Sequence, residues 1–304
     1  MKDFKIPMWF VRLFAILMSI PVFLQICSHA KSDDSTAPRI TVSVEGKGPD
    51  IVMIPGLASS AEVWRGEANR LKAVYRVHLV QVAGFAGTPV GGNVQTPLLL
   101  PIQDEIVAYI STQHLNHPVL VGHSMGGLLS MMIAESHPEV IGNVLIVDSL
   151  PFFGLLSNPQ ATVEGVMPIA RQFRDQVIAQ GQDAYAQGQL RTMSMLIKSN
   201  GPEAQAALAA AQSSDHKVVA QALFEDWTTD LRSRLGSMTM KVAVLYPYDT
   251  SMGIPQSAVD GIYNNAFAGL PNKQIIRIDG SYHFIQIDQP DRFHEEVMKF
   301  LALK

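Results

Sequence analysis

Residues 118–127, PVLVGHSMGG, constrain the fold more than any other stretch of the chain. Val119, Leu120 and Val121 read as a strand buried on both faces, and residues 128–135 have helical character. Between them Gly122 and Gly126 bracket Ser124. Glycine two residues to either side of a serine, between strand and helix, describes a tight turn in which neighbouring elements pack closely. Such a turn lifts the serine hydroxyl above the sheet edge and aims the unpaired N–H groups of the helix N-terminus at it. The alternative is a glycine-rich turn with an incidental serine, and the flanking strand and helix argue against it.

The same alternation extends along the chain. Residues 40–46 (ITVSVEG) alternate apolar and polar, as a half-buried strand does, and 50–54 (DIVMI) form a short apolar run. Further strands are expected at 75–82, 144–147, 241–246 and 273–278, with helices over 61–73, 102–115 and from Asp291 onward. Apolar strands separated by helices predict an α/β fold: a doubly wound, mostly parallel sheet covered on both faces. Residues 152–238 interrupt it. They are rich in Ala, Gln and Met, show no strand, and read as several helices, including 204–212 and 217–227. The expected organisation is a core in two parts, 31–151 and 239–304, with a helical cap, 152–238, inserted before the strand that ends at Asp249.

The N-terminus reads differently. Lys2, Lys5 and Arg12 precede an apolar run over 13–26, followed by Ser28-His29-Ala30, with small residues where a signal peptidase reads. Residues 1–30 are therefore expected to be a signal peptide and the protein to be exported, periplasmic or secreted, with no stable membrane anchor after cleavage. The apolar run of about fourteen residues is short for a membrane-spanning helix. Cleavage would take the net charge from −4 to −6 and remove Cys27, the only cysteine, leaving no thiol for disulfides, catalysis or metal binding. Ile26 before Cys27 argues against lipidation. Hydrophobic residues at 47% and charged residues at 16% suit a sizeable buried interior, and the net negative charge lacks the basic footprint of a nucleic-acid binder.

Four further motifs accompany GHSMGG: Pro55-Gly56-Leu57, Gly84-Phe85-Ala86-Gly87, Tyr248-Asp249 after a strand, and Tyr282-His283-Phe284 after the last strand. Together they resemble the α/β-hydrolase superfamily over residues 40–304. The resemblance implies that Ser124 is a nucleophile served by an acid and a histidine in the chain order serine, acid, histidine. Of His137, His216, His283 and His294, which follow Ser124, His283 stands where the family places its base. Asp249 is the expected acid, and Asp148, which closes an earlier strand, is the alternative. The backbone amides of Leu57 and Met125 would form the oxyanion hole. Many relatives have a histidine where this chain has Pro55, which leaves the chemistry intact because only backbone donors are required.

A serine nucleophile argues against the branches that use aspartate, the dehalogenases and epoxide hydrolases. The expected activity is cleavage of an ester, a small or medium apolar one, by acyl transfer to water through an acyl-enzyme. Amide, lactone and carbon–carbon bond hydrolysis run on the same machinery, and a non-catalytic binding protein of the same fold is the alternative of another class. Phe152, Phe153 and Met167 are expected to line the substrate pocket, or else to bury the cap against the core. No metal or cofactor is expected, and the partner is a small-molecule acyl substrate.

Overall fold

The computed structural model describes residues 37–156 and 158–302, so the expected signal segment lies outside the described residues. The strands are β1 (Ile40–Gly46), β2 (Asp50–Ile54), β3 (Arg76–Val82), β4 (Val119–His123), β5 (Val144–Val147), β6 (Val242–Tyr248) and β7 (Lys273–Asp279). They form one sheet in the order β1-β3-β2-β4-β5-β6-β7. β1 runs antiparallel to β3, and every other neighbouring pair is parallel. The edge strand β1 is the one with alternating polarity, and its outward positions are exposed.

The inner strands are apolar at consecutive positions because both faces of the sheet are covered. Val52, Ile54, Val80, Leu120, Ile146 and Val244 point into one layer, and Ile51, Met53, Leu79, Val121, Leu145 and Leu245 into the other. The first layer is closed by α2 (Leu99–Thr112) and α3 (Met125–Ser136), through residues such as Ile102, Ile106 and Leu129. The second is closed by α1 (Arg65–Leu71) and the C-terminal helix, Pro290–Leu301, through Leu71, Phe293 and Val297. Each fully buried aliphatic side chain of this kind contributes roughly 1.5–3 kcal/mol.

Between β5 and β6 the chain is helical: α4 (Val163–Leu196), α5 (Pro202–Ser213) and α6 (His216–Thr228). α4 packs on both α5 and α6. It is broken at Gly181, whose φ of 80° and ψ of 171° are non-helical. Ala204, Ala207 and Ala211 recur on the buried face of α5, and their small side chains permit a close approach. Asp215 caps α6 by accepting from the Lys217 and Val218 amides. The Asp215 amide donates to Gly84 O at 2.7 Å, and Ser214 Oγ accepts from the Ala86 amide at 2.9 Å. The Gly84–Gly87 motif is thus a docking point for the inserted helices. After β6 come α7 (Gln256–Ala266), then β7, the short α8 (Ile285–Asp288) and α9 (Pro290–Leu301).

Candidate active site

Ser124 sits between β4 and α3 with φ 53° and ψ −124°. A side chain at positive φ is strained, and such strain persists only where the surroundings enforce it. Here the enforcement is close packing. A Cβ on Gly122 would fall 2.2 Å from Gly126 O, and one on Gly126 would fall 2.2 Å from Ile54 O and 2.6 Å from Pro55 O. The helix start is therefore pressed against the loop that follows β2. α3 begins at Met125, directly after the serine, rather than at 128 as its apolar pattern suggests.

The loop after β2 lies over the same turn: a Cβ built on Gly56 would be 3.0 Å from Ser124 Cβ. Leu57, the next residue, and Met125, at the first position of α3, flank the serine. Neither backbone amide donates a hydrogen bond to a described residue. Two unspent donors beside one hydroxyl are what an oxyanion site requires.

His283 arrives from the loop after β7. Its Nδ1 lies 2.6 Å from Asp148 Oδ2. Asp148 closes β5 at φ 44°, anchored by its amide to Leu245 O at 2.8 Å. The other carboxylate oxygen, Oδ1, accepts from the Tyr263 hydroxyl on α7. Burial, reinforced by the adjacent Asp148 carboxylate, drives the Tyr263 phenol well above its usual pKa, so it remains a donor. Both oxygens of Asp148 are thus held, and the carboxylate is fixed on the histidine ring.

His123 supports His283 from behind. Its Nε2 is 3.0 Å from His283 O, and the two ring centroids are 4.5 Å apart. A carbonyl only accepts, so this contact assigns the proton to Nε2. Complete burial, with His283 nearby, pushes the His123 pKa well down and keeps the ring neutral. The ring also packs on Phe284, with centroids 4.7 Å apart.

The expected partnership of Asp249 with His283 is corrected by this geometry. Asp249 Oδ2 meets Lys198 Nζ at 2.5 Å, and Oδ1 accepts from the Ser251 amide at 2.9 Å and the Ser251 hydroxyl at 2.5 Å. The Lys198 hydrogen bond, followed by those from Ser251, holds the Asp249 carboxyl down at about 2. Asp148, the alternative, meets His283 although β6 and not β5 is the neighbour of β7: the loop after β7 carries the ring across to the end of β5, while Asp249 is taken up by Lys198 and Ser251. The helical insertion accordingly follows the strand whose carboxylate pairs with His283, rather than preceding it.

The three expected lining residues part company. Phe152 is fully buried beneath the Arg232 guanidinium, which lies 4.6 Å from its ring centroid. Phe153 is half-buried and stacks on Trp227 at 5.4 Å. Met167 is half-buried near the start of α4. Tyr263 carried no functional signal in the sequence, since it falls at apolar helical spacing with Val259 and Ala266.

Comparison with known proteins agrees with this architecture. The model of the alpha/beta hydrolase family matches residues 51–296. The chain is 40% identical over 116 residues to a pimeloyl-[acyl-carrier protein] methyl ester esterase of Aeromonas hydrophila, a match that covers 38% of this chain and 44% of that protein. The chain thus spans less than half the length of that relative. The protein of the same name from Yersinia enterocolitica is 25% identical over 261 residues, covering 83% of this chain and 92% of the relative. Among solved structures, the enol-lactonase from Burkholderia xenovorans superposes with a TM-score of 0.69 at 16% identity, over 86% of this chain and 96% of that one. A thermophilic esterase from Thermogutta terrifontis gives 0.68 at 17% identity, over 86% and 92%. At these identities the structural likeness speaks for the fold alone. The family match, extending from β2 into the last helix, places this chain in the alpha/beta hydrolase family.

Proposed function

We propose that this protein is a serine ester hydrolase that works through Ser124, His283 and Asp148. The observation that carries the reading is the 2.6 Å contact between His283 Nδ1 and Asp148 Oδ2, made beside a strained serine turn with two free amides. With Nδ1 committed to the carboxylate, Nε2 is the nitrogen left to take the Ser124 proton as the hydroxyl attacks an acyl carbon. The Leu57 and Met125 amides stabilise the resulting oxyanion, and loss of one such donor typically costs 10²–10³ in rate. The protonated ring then donates to the leaving alkoxide, and water, activated by the same ring, resolves the acyl-enzyme. Asp148 holds the ring in the required tautomer and stabilises its positive form.

The substrate class proposed is a small or medium ester. The similarity to pimeloyl-[acyl-carrier protein] methyl ester esterases supports it. Export is part of the same proposal and rests on Lys2, Lys5, Arg12, the apolar run and Ser28-His29-Ala30. N-terminal sequencing of the product recovered outside the cytoplasm tests it, with a new terminus at Lys31 expected and an intact Met1 counting against it.

The catalytic reading is tested with a fluorophosphonate probe and nitrophenyl esters of graded length. Ser124 should carry the adduct, and Ser124→Ala should lose both labelling and turnover. A labelled residue other than Ser124, or ester cleavage that persists in Ser124→Ala, would refute it.

A further inference from the structure

The inward face of α6 holds a carboxyl where an apolar side chain is expected. Val219, Ala222 and Asp226 recur at helical spacing, and all three are buried; Asp226 is only 8% exposed. Asp226 makes no hydrogen bond and no ion pair among the described residues. The partly buried Glu225 beside it, by contrast, accepts from the Leu98 and Leu99 amides at the start of α2. A buried carboxyl without a partner costs stability and calls for another explanation.

Its location supplies one. The carboxyl is within electrostatic reach of His283, whose positive form would draw its pKa down. The next residue, Trp227, stacks on Phe153 and lies 5.5 Å from the Phe173 ring. Beyond the end of α6, the Leu231 amide donates to Pro151 O at 2.8 Å, which ties this part of the insertion to the segment that follows Asp148. Asp226 is therefore a buried carboxyl on the inserted helices, next in sequence to an aromatic cluster and within electrostatic reach of the reacting histidine.

We infer that Asp226 is a specificity-determining residue: its carboxyl accepts a hydrogen bond from a hydroxyl or ammonium substituent that the substrate carries close to the scissile carbonyl. The inference rests on the reading of Ser124 and His283 as the reacting centre. Burial raises the Asp226 pKa to about 7, so the carboxyl alternates between neutral and charged forms near neutrality, and both forms keep an acceptor oxygen. A hydroxyl can be bound by either form, and an ammonium best by the charged one.

The test uses the full chain with Ser124→Ala, so that esters bind without being cleaved. Affinities are measured by calorimetry for methyl butyrate, methyl 3-hydroxybutyrate and methyl 3-aminobutyrate. The hydroxyl and ammonium esters should bind about tenfold or more tightly than the plain one. Asp226→Leu in the same background should abolish that difference. Asp226→Asn, which retains an acceptor oxygen, should keep the preference for the hydroxyl and lose most of that for the ammonium. Equal binding of the three esters, no measurable binding of any, or a preference that survives Asp226→Leu overturns the inference. Turnover by the wild-type protein is scored separately. Cleavage of methyl butyrate without discrimination retains the hydrolase reading and removes Asp226 from it, whereas discrimination without cleavage of any ester does the reverse.

Discussion

Asp148 and Asp249 each close a parallel strand after the serine, and both satisfy the chain order of a serine triad. What separates them is the partner. Asp148 faces His283 and Tyr263, while Asp249 is neutralised by Lys198. Asp148→Asn should therefore lower kcat on a nitrophenyl ester by roughly 10⁴, because the amide supports the wrong tautomer of the ring. Asp249→Asn should leave kcat within a few-fold of wild type, and the reverse result would return the acid to Asp249. Tyr263→Phe should lower kcat by about tenfold with KM little changed, since it removes a hydrogen bond to a charged group that orients the base. Ser124, His283, Leu57 and Met125 were legible because each lies in a local pattern tied to a strand end. The choice of carboxylate was not legible. It depends on a tyrosine that holds Asp148 and on a lysine, delivered by the inserted helices, that occupies Asp249, neither of which is a property of spacing along the chain.

At the scale of elements, strands were easier to read than helices for a physical reason. Apolar runs such as DIVMI and VLIV lose their solvent on both faces and so carry a continuous signal, and β2 and β5 begin and end where that signal does. The insertion is long in Ala and Gln, which favour helix without marking a face, so the extent of α4 and its break at Gly181 were invisible. A Cβ on Gly181 would meet nothing within 4 Å, so Gly181→Ala tests backbone strain alone. It should destabilise the fold by about 1–3 kcal/mol, measured by urea unfolding. An unchanged midpoint would mean that the break is not required. The far end of α4 is pinned to the core by Asp288, which accepts from the Lys198 and Ser199 amides, and by the Lys198–Asp249 ion pair. The Asp249 carboxyl is held at about 2, below the ~4 of an unfolded aspartate. Its contribution is therefore present above pH ~4 and is lost as pH falls through about 2. Amide exchange of residues 197–200 should stay slow to about pH 4 and accelerate below it relative to α3. Asp249→Asn should already show the faster exchange at neutral pH.

On the scale of the whole molecule, sheet order explains why these residues meet. From β2 the chain turns one way to β3, and β4 then returns on the other side of β2. The loops after β2 and β4 diverge at that point, and a crevice at the carboxyl ends of parallel strands is where ligands bind in open α/β sheets. Leu57 and Ser124 occupy those two loops. The sheet, its covering helices and the insertion bury several titratable groups, with opposing consequences for stability. Burial lowers the pKa values of His78, His123 and His216, so each contributes stability that is full above ~6.5 and declines as pH falls toward its folded value. Burial raises Glu67 and Asp226, whose contributions are full at low pH and are lost as pH rises, for Asp226 through about 7. The two sets act in opposite directions between pH 7 and pH 5, the histidines lowering stability and the carboxyls raising it. The comparison that isolates one term is Asp226→Asn. The wild-type carboxyl favours the folded state at pH 5 over pH 7 by on the order of 2 kcal/mol. Removing it should lower stability at pH 5 relative to pH 7 by a similar amount in urea unfolding. Parallel pH profiles for the two proteins would show that Asp226 ionises in the folded state as it does in an unfolded chain, and that its burial carries no electrostatic cost.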